Sequence, residues 1–160
     1  MSVTLPVIKA RMGNRDYFIS KMSAANLAGQ VGIASELSDW NELSLNELYQ
    51  RRLNEKRVEQ DIAPYLANTK GRFFGSIIVW IINRDVITFE PVSSVVNVSA
   101  AYASAADSLG FLVIDAARGG DLSGLVALDG QHRLAALRRV VHGKAEGPEA
   151  GRVRDDEVTV

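Results

Sequence analysis

Between Leu125 and Val141 the chain passes from a short apolar run, Leu125-Val126-Ala127-Leu128, through Asp129-Gly130-Gln131-His132-Arg133 into Leu134-Ala135-Ala136-Leu137-Arg138-Arg139-Val140-Val141. Four apolar residues bounded by turn chemistry read as a buried strand, and apolar positions at 134, 137 and 141 read as one face of a helix. The chain is thereby committed to a strand, a tight turn and a helix in immediate succession, a unit of α/β or α+β architecture with a mixed sheet and flanking helices. Asp129 is a candidate N-cap, its carboxylate able to accept from the N–H groups of the first turn. Gly130 permits a tight turn and the close approach of a ligand, and Gly143 is placed to stop the helix. A helix N-terminus gathers N–H donors and partial positive charge, and Arg133 adds a planar donor fork, so this turn suits an anion such as phosphate. Asp-Gly turns and Asp caps also occur with no ligand, and on the residues alone the two readings stand level.

The remaining sequence supplies partners for that unit. Val3 to Ala10 and Arg15 to Ser20 are partly alternating runs on either side of Gly13-Asn14, so the chain opens with a β-hairpin. Ser23 caps a short helix to Gln30, and Val31 to Asn41 is a connector. Ser44 and Glu47 form a capping box, and Leu45, Leu48, Tyr49, Leu53, Val58 and Ile62 give a helical stripe for the expected longest element. Pro64 should end or kink that helix, because the residue before a proline is biased away from helical backbone. After a loop at Asn68 to Gly71, Phe73 to Ile82 reads as an apolar strand of the kind buried on both faces, with Trp80 inside it. Strands follow at Val86 to Phe89 and Phe111 to Ile114, separated by a small-residue helix at Ser99 to Ser108; Ala116 to Gly124 is a flexible loop. Gly143 to Arg154, centred on Pro148, reads as a solvated loop. Asp155 to Val160 reads as a strand beginning, so the expectation is a single domain over 1–160 forming the N-terminal fragment of a longer protein.

Composition removes several classes of chemistry. The chain has no Cys, which excludes disulfides, thiolate nucleophiles and Cys-based metal sites and leaves a cytoplasmic location as the default. Its longest apolar run, Ile77 to Ile82, falls far short of the roughly 18 residues that span a bilayer, and no membrane role is expected. A net charge of −1 argues against wrapping nucleic acid by bulk electrostatics, so any DNA contact must come from a local patch. Candidates are Arg51, Arg52, Lys56 and Arg57 on one helix, Lys70 and Arg72 around Gly71, and Arg133, Arg138 and Arg139 in and after the pentapeptide. Neither a P-loop nor a Rossmann fingerprint is present despite Gly119-Gly120, and no Ser sits in G-x-S-x-G. His132 and His142 stand ten residues apart, the wrong spacing for two ligands on one helical face, and no metal site is expected. Asp115 and Asp121 flank the Gly-rich loop and with Asp129 could approach a cation, although solvated loop carboxylates are commoner.

The string Leu128-Asp129-Gly130-Gln131-His132-Arg133-Leu134, followed by Ala135-Ala136-Leu137, resembles the signature of the DGQHR-domain family, whose best-known members are the DndB-type proteins of DNA phosphorothioation systems. A second block, Asp61-Ile62-Ala63-Pro64-Tyr65-Leu66 with Arg72-Phe73-Phe74-Gly75-Ser76-Ile77-Ile78-Val79, is similar to the one that precedes the signature there. Residues 55 to 140 carry the resemblance. It implies a ParB/sulfiredoxin-like fold in which the strand-to-helix turn lies against a nucleotide or nucleic-acid phosphate. Sulfiredoxin-type chemistry needs a Cys in this turn, where this chain has Gln131 and His132, so sulfur reduction is not expected.

Three functions follow, in descending order. The first is a DNA-binding transcriptional regulator of a phosphorothioation gene cluster, using Asp129, Gly130, Gln131, His132, Arg133, Lys70 and Arg72 against phosphate or DNA, with no catalytic residue. The second is a nucleotide-binding or NTP-hydrolysing switch of a phage-defence system. There a nucleoside triphosphate with magnesium would be the cofactor, Arg133 and the helix start would hold phosphates, and His132 would orient a water. The third is a structural domain, and homo-oligomerisation is compatible with all three.

Overall fold

The computed structural model describes residues 2–33, 36, 53–82, 84–115 and 124–160. The capping box at Ser44, the stripe from Leu45 to Tyr49, Trp40, Arg51, Arg52 and Asp121 lie outside the described residues.

Strands β1 (Ser2–Met12) and β2 (Arg15–Ser23) form the expected antiparallel hairpin, closed by Gly13 at φ +58°, a left-handed value that glycine adopts without steric cost. Alternation along β1 buries Leu5 and Val7 and turns Thr4, Pro6 and Ile8 outward. Ser23 caps α1 (Ala24–Gln30), its Oγ accepting the Asn26 N–H at 3.2 Å, and the short strand β3 (Gly32–Ile33) follows.

Helical backbone then runs over 55–68, named α2, through Glu55–Arg57, a π-helical turn at Val58–Ile62 and Ala63–Asn68. Pro64 sits inside this run and does not end it. A proline ring has no N–H to give to the preceding turn and crowds the carbonyl four residues back. The wider π turn immediately before it, with the Ala63 N–H bonded to Val58 O, removes that demand.

The expected long strand over Phe73 to Ile82 shrinks to β4 (Ile78–Ile81), and 72–77 has no regular structure. Ile78 is exposed and Trp80 only half-buried, so the segment is not covered on both faces. A 3-10 turn at Arg84–Val86 leads to β5 (Ile87–Pro91), the short helix α3 (Val92–Val95), a 3-10 turn at Ala100–Tyr102, α4 (Ala103–Ser108) and β6 (Leu109–Asp115). The signature region forms β7 (Leu125–Asp129) and α5 (Gln131–Val141), which Gly143 stops at φ +71°. The stretch read as a solvated loop contains α6 (Ala150–Val153), because Val153 is fully buried in the core, and β8 (Glu157–Thr159) closes the chain.

Five strands pair antiparallel in the order β5-β6-β1-β2-β8, and a second sheet has the order β3-β7-β4, with β3 parallel and β4 antiparallel to β7. The mixed α and β architecture is the expected one. The Ile77 N–H donates to Thr159 O at 3.0 Å, joining the approach to β4 with the end of β8 and so linking the sheets. Leu5, Val7, Leu112 and Ile114 from the first sheet meet Leu27 of α1, Leu66 of α2, Leu125 of β7 and Leu134 and Leu137 of α5 in one core. At the outer edge of the large sheet Gly110 stands opposite Pro91, and a Cβ there would lie 2.3 Å from Glu90 O.

Candidate nucleic-acid interface

The signature turn is shaped by a glycine. Gly130 takes φ +83° and ψ 18° as the N-cap of α5, and a Cβ there would lie 3.0 Å from Ile77 Cγ1 and 3.1 Å from Arg133 Nη2. As a glycine it makes no side-chain cap hydrogen bond. Asp129, expected as the cap, is the last residue of β7 and paired in the strand register with Ile78. Its carboxylate is 68% exposed and lies 3.3 Å from Arg133 Nη2. With a left-handed residue inserted between strand and helix, the cap position passes to Gly130, which has no side chain to offer the first turn.

The other signature residues work inward. Gln131 is buried. His132 Nε2 accepts the Asn54 N–H at 2.8 Å, which fixes an unprotonated Nε2. Asn54 in turn caps α2, its Oδ1 accepting the Arg57 N–H at 3.1 Å. The starts of α2 and α5 therefore lie side by side, and the exposed Lys56 and Arg57 belong to the first turn of α2. Arg133 donates from Nη1 to Gly75 O at 2.7 Å and from Nη2 to Asp129, tying the turn to the loop that follows α2.

Lys70 is exposed in that loop and makes no ion pair among the described residues. Arg72, two residues on, is held differently. Its side chain is 7% exposed. It donates from Nε and Nη2 to the two oxygens of Asp156, the Nη2 bond at 2.8 Å, and from Nη1 to Thr69 O at 3.3 Å, with Glu149 Oε2 at 3.7 Å. The hydrogen bonds to Asp156 hold the guanidinium above its ordinary pKa against the opposing effect of burial. Arg72 is a clasp between the loop and the approach to β8.

Arg138 and Arg139 are likewise engaged. Arg138 meets both Glu36 oxygens, at 2.7 and 2.8 Å, and donates to Ala28 O and Val31 O at the end of α1. Arg139 pairs with Glu59 of α2 at 2.8 Å. Burial pushes the Glu36 carboxyl up, but the Arg138 bonds, the Ile33 N–H and the Arg138 charge outweigh it, leaving its pKa below the ordinary glutamate value. Ionised Glu36 thus stabilises the fold above that ordinary value, and the contribution is lost as pH falls through the lower folded one. Because the pair is partly exposed, Glu36→Gln should cost about 0.5–1 kcal/mol at neutral pH, and the gap from wild type should close on acidification. Thermal unfolding across pH checks this, and a gap that persists in acid would assign the loss to packing.

Of the sequence candidates, the structure brings Asp129, Gly130, Gln131, His132 and Arg133 together at one turn and links Arg133 to the loop carrying Lys70 and Arg72. Sequence reading missed Asn54, Tyr65, Gly75, Glu36 and Asp156 as the groups that hold this arrangement. Asn54, three residues before Arg57, carried a local N-cap signal; Gly75, Glu36 and Asp156 meet partners 58, 102 and 84 positions away, and the Tyr65 hydroxyl meets the backbone of Phe73, eight positions on. Among the described residues no group of three or more His, Asp or Glu side chains converges as a metal site would, and no helix is long and apolar enough to cross a membrane.

No curated protein and no solved structure matches this chain. A family model does, over residues 5–160, and it spans the hairpin, both sheets and the Gly130 turn alike. The chain belongs to the DndB family, which is associated with DNA sulfur modification.

Proposed function

We propose that this chain binds DNA, holding backbone phosphate at the start of α5, and regulates transcription of a DNA sulfur-modification gene cluster. The observation that carries the reading is the start of α5 with a glycine as its N-cap, set beside the first turn of α2 with its exposed Lys56 and Arg57. N–H donors and dipole at a helix N-terminus fix a phosphate in position, and nearby cations release condensed counterions when they meet it. Family membership supports DNA as the polymer that brings the phosphate. Arg133 has the role of setting the turn: its bonds to Gly75 O and Asp129 hold the loop and strand between which an anion would approach.

A promoter duplex from such a cluster, titrated by fluorescence anisotropy at several salt concentrations, tests the reading. Binding should weaken linearly in log–log form, and Lys56→Ala with Arg57→Ala should lower the slope by about 2. Salt-independent binding would remove the phosphate site. An unchanged slope in the double variant would move the interface away from α2.

A further inference from the structure

The loop between α2 and β4 holds an aromatic ring out in water by fixing the backbone on both sides of it. Phe73 is 84% exposed. Its N–H donates to Tyr65 Oη at 2.8 Å, and the same hydroxyl donates back to Phe73 O at 3.2 Å, so one side chain occupies both polar groups of the residue. Arg72, just before it, is locked to Asp156, and Phe74, just after it, packs against the core. Two residues on, Gly75 O receives Arg133 from the signature turn. A loop free to relax would fold so large an apolar ring inward, since removing it from water is favourable. Here every neighbouring anchor prevents that.

Its surroundings define what the ring fits. Lys70 is exposed, without an ion pair among the described residues, and lies three residues before Phe73. Phe73 also lines a cavity of about 180 Å³ with Leu66, Leu137 and Val158, and the charged residues of its lining are ion-paired, Arg72 with Asp156 and Glu157 with Lys21. With those charges already paired, a phosphate would meet no unpaired cation among these residues, whereas a neutral heterocycle needs none. The arrangement separates an apolar aromatic surface from a free cation, as the flat base and charged backbone of a nucleotide require. A protein partner would need a broader apolar patch than one projecting ring.

We propose that Phe73 is a stacking platform for an unpaired base of DNA, with Lys70 meeting the adjacent phosphate. This rests on the DNA-binding reading above and adds the state of the DNA that is recognised: a base out of its duplex stack. Two probes test it on the full chain, a duplex with one unpaired 2-aminopurine and a fully paired duplex of the same sequence. The unpaired probe should bind about 5- to 150-fold tighter, with 2-aminopurine fluorescence quenched on binding. Phe73→Ala and Phe73→Leu should erase preference and quenching without lowering the melting temperature, and Phe73→Trp should retain both. Lys70→Ala should lower the salt slope by about 1. Equal binding of both probes by wild type, or a preference that survives in Phe73→Leu, overturns the platform and leaves DNA binding standing. Failure of both probes to bind overturns the DNA reading itself, and this inference with it.

Discussion

Arg72→Ala should unfold at much lower denaturant than wild type, with a loss of about 3 kcal/mol, because it removes one partner of a largely buried ion pair. The guanidinium fills a site where it is 7% exposed and satisfies both oxygens of Asp156, Thr69 O and the edge of Glu149. Removing it leaves the 15%-exposed Glu149 carboxylate without that partner and frees the loop that carries Phe73. Asp156 is more open and can rehydrate, which keeps the loss at the low end of the range for broken buried pairs. Arg72→Lys should recover only part of the stability, since an ammonium cannot match the two-pronged geometry. Urea titration followed by circular dichroism measures both. A loss under about 1 kcal/mol accompanied by a fall in DNA affinity would return Arg72 to the binding surface.

Gly110→Ala should lose a similar amount, about 3 kcal/mol, for an unrelated reason. The added Cβ would stand 2.3 Å from Glu90 O and 2.5 Å from the Phe89 ring. The ring can rotate, but the carbonyl belongs to β5, whose register on β6 pairs Glu90 with Phe111 and Pro91 with Gly110. Relief therefore requires β5 to part from β6 at that end. Hydrogen exchange should show amides in 87–90 losing protection while those of α5 keep theirs. Unchanged protection in β5 would mean the carbonyl tilts aside within the intact strand pair.

These two residues also mark where sequence reasoning stops. The hairpin, the Ser23 cap, the β7 strand, the α5 helix and the Gly143 stop were legible because each depends on residues within a few positions of one another. Gly130 belongs to that class, but the same local reading assigned the cap to Asp129, because nothing local showed that Gly130 itself would take the cap position. Arg72 looked like a loop cation available to DNA, since its partner Asp156 is 84 positions away. Phe73 looked like a buried strand residue because it opens an apolar run. The bonds that hold it out come from Tyr65, eight positions back, and from the Arg133–Gly75 tie across 58. His132 suggested a ligand to water or phosphate, and its acceptor instead holds Asn54, 78 positions earlier. Local chemistry placed the turn, and distant partners decided which of its side chains remain available.

The link between the sheets sets an order of assembly during synthesis. Strand β2 is made early, but its outer neighbour is β8, and the hydrogen bond from Ile77 to Thr159 also needs those late residues. Until 157–160 have emerged from the ribosome, a nascent chain carries the β2 edge open and the approach to β4 unpaired, the kind of edge that invites association with other chains. Translation pausing upstream of codon 157 would therefore prolong a sticky intermediate, whereas pausing after 157–160 have emerged would not.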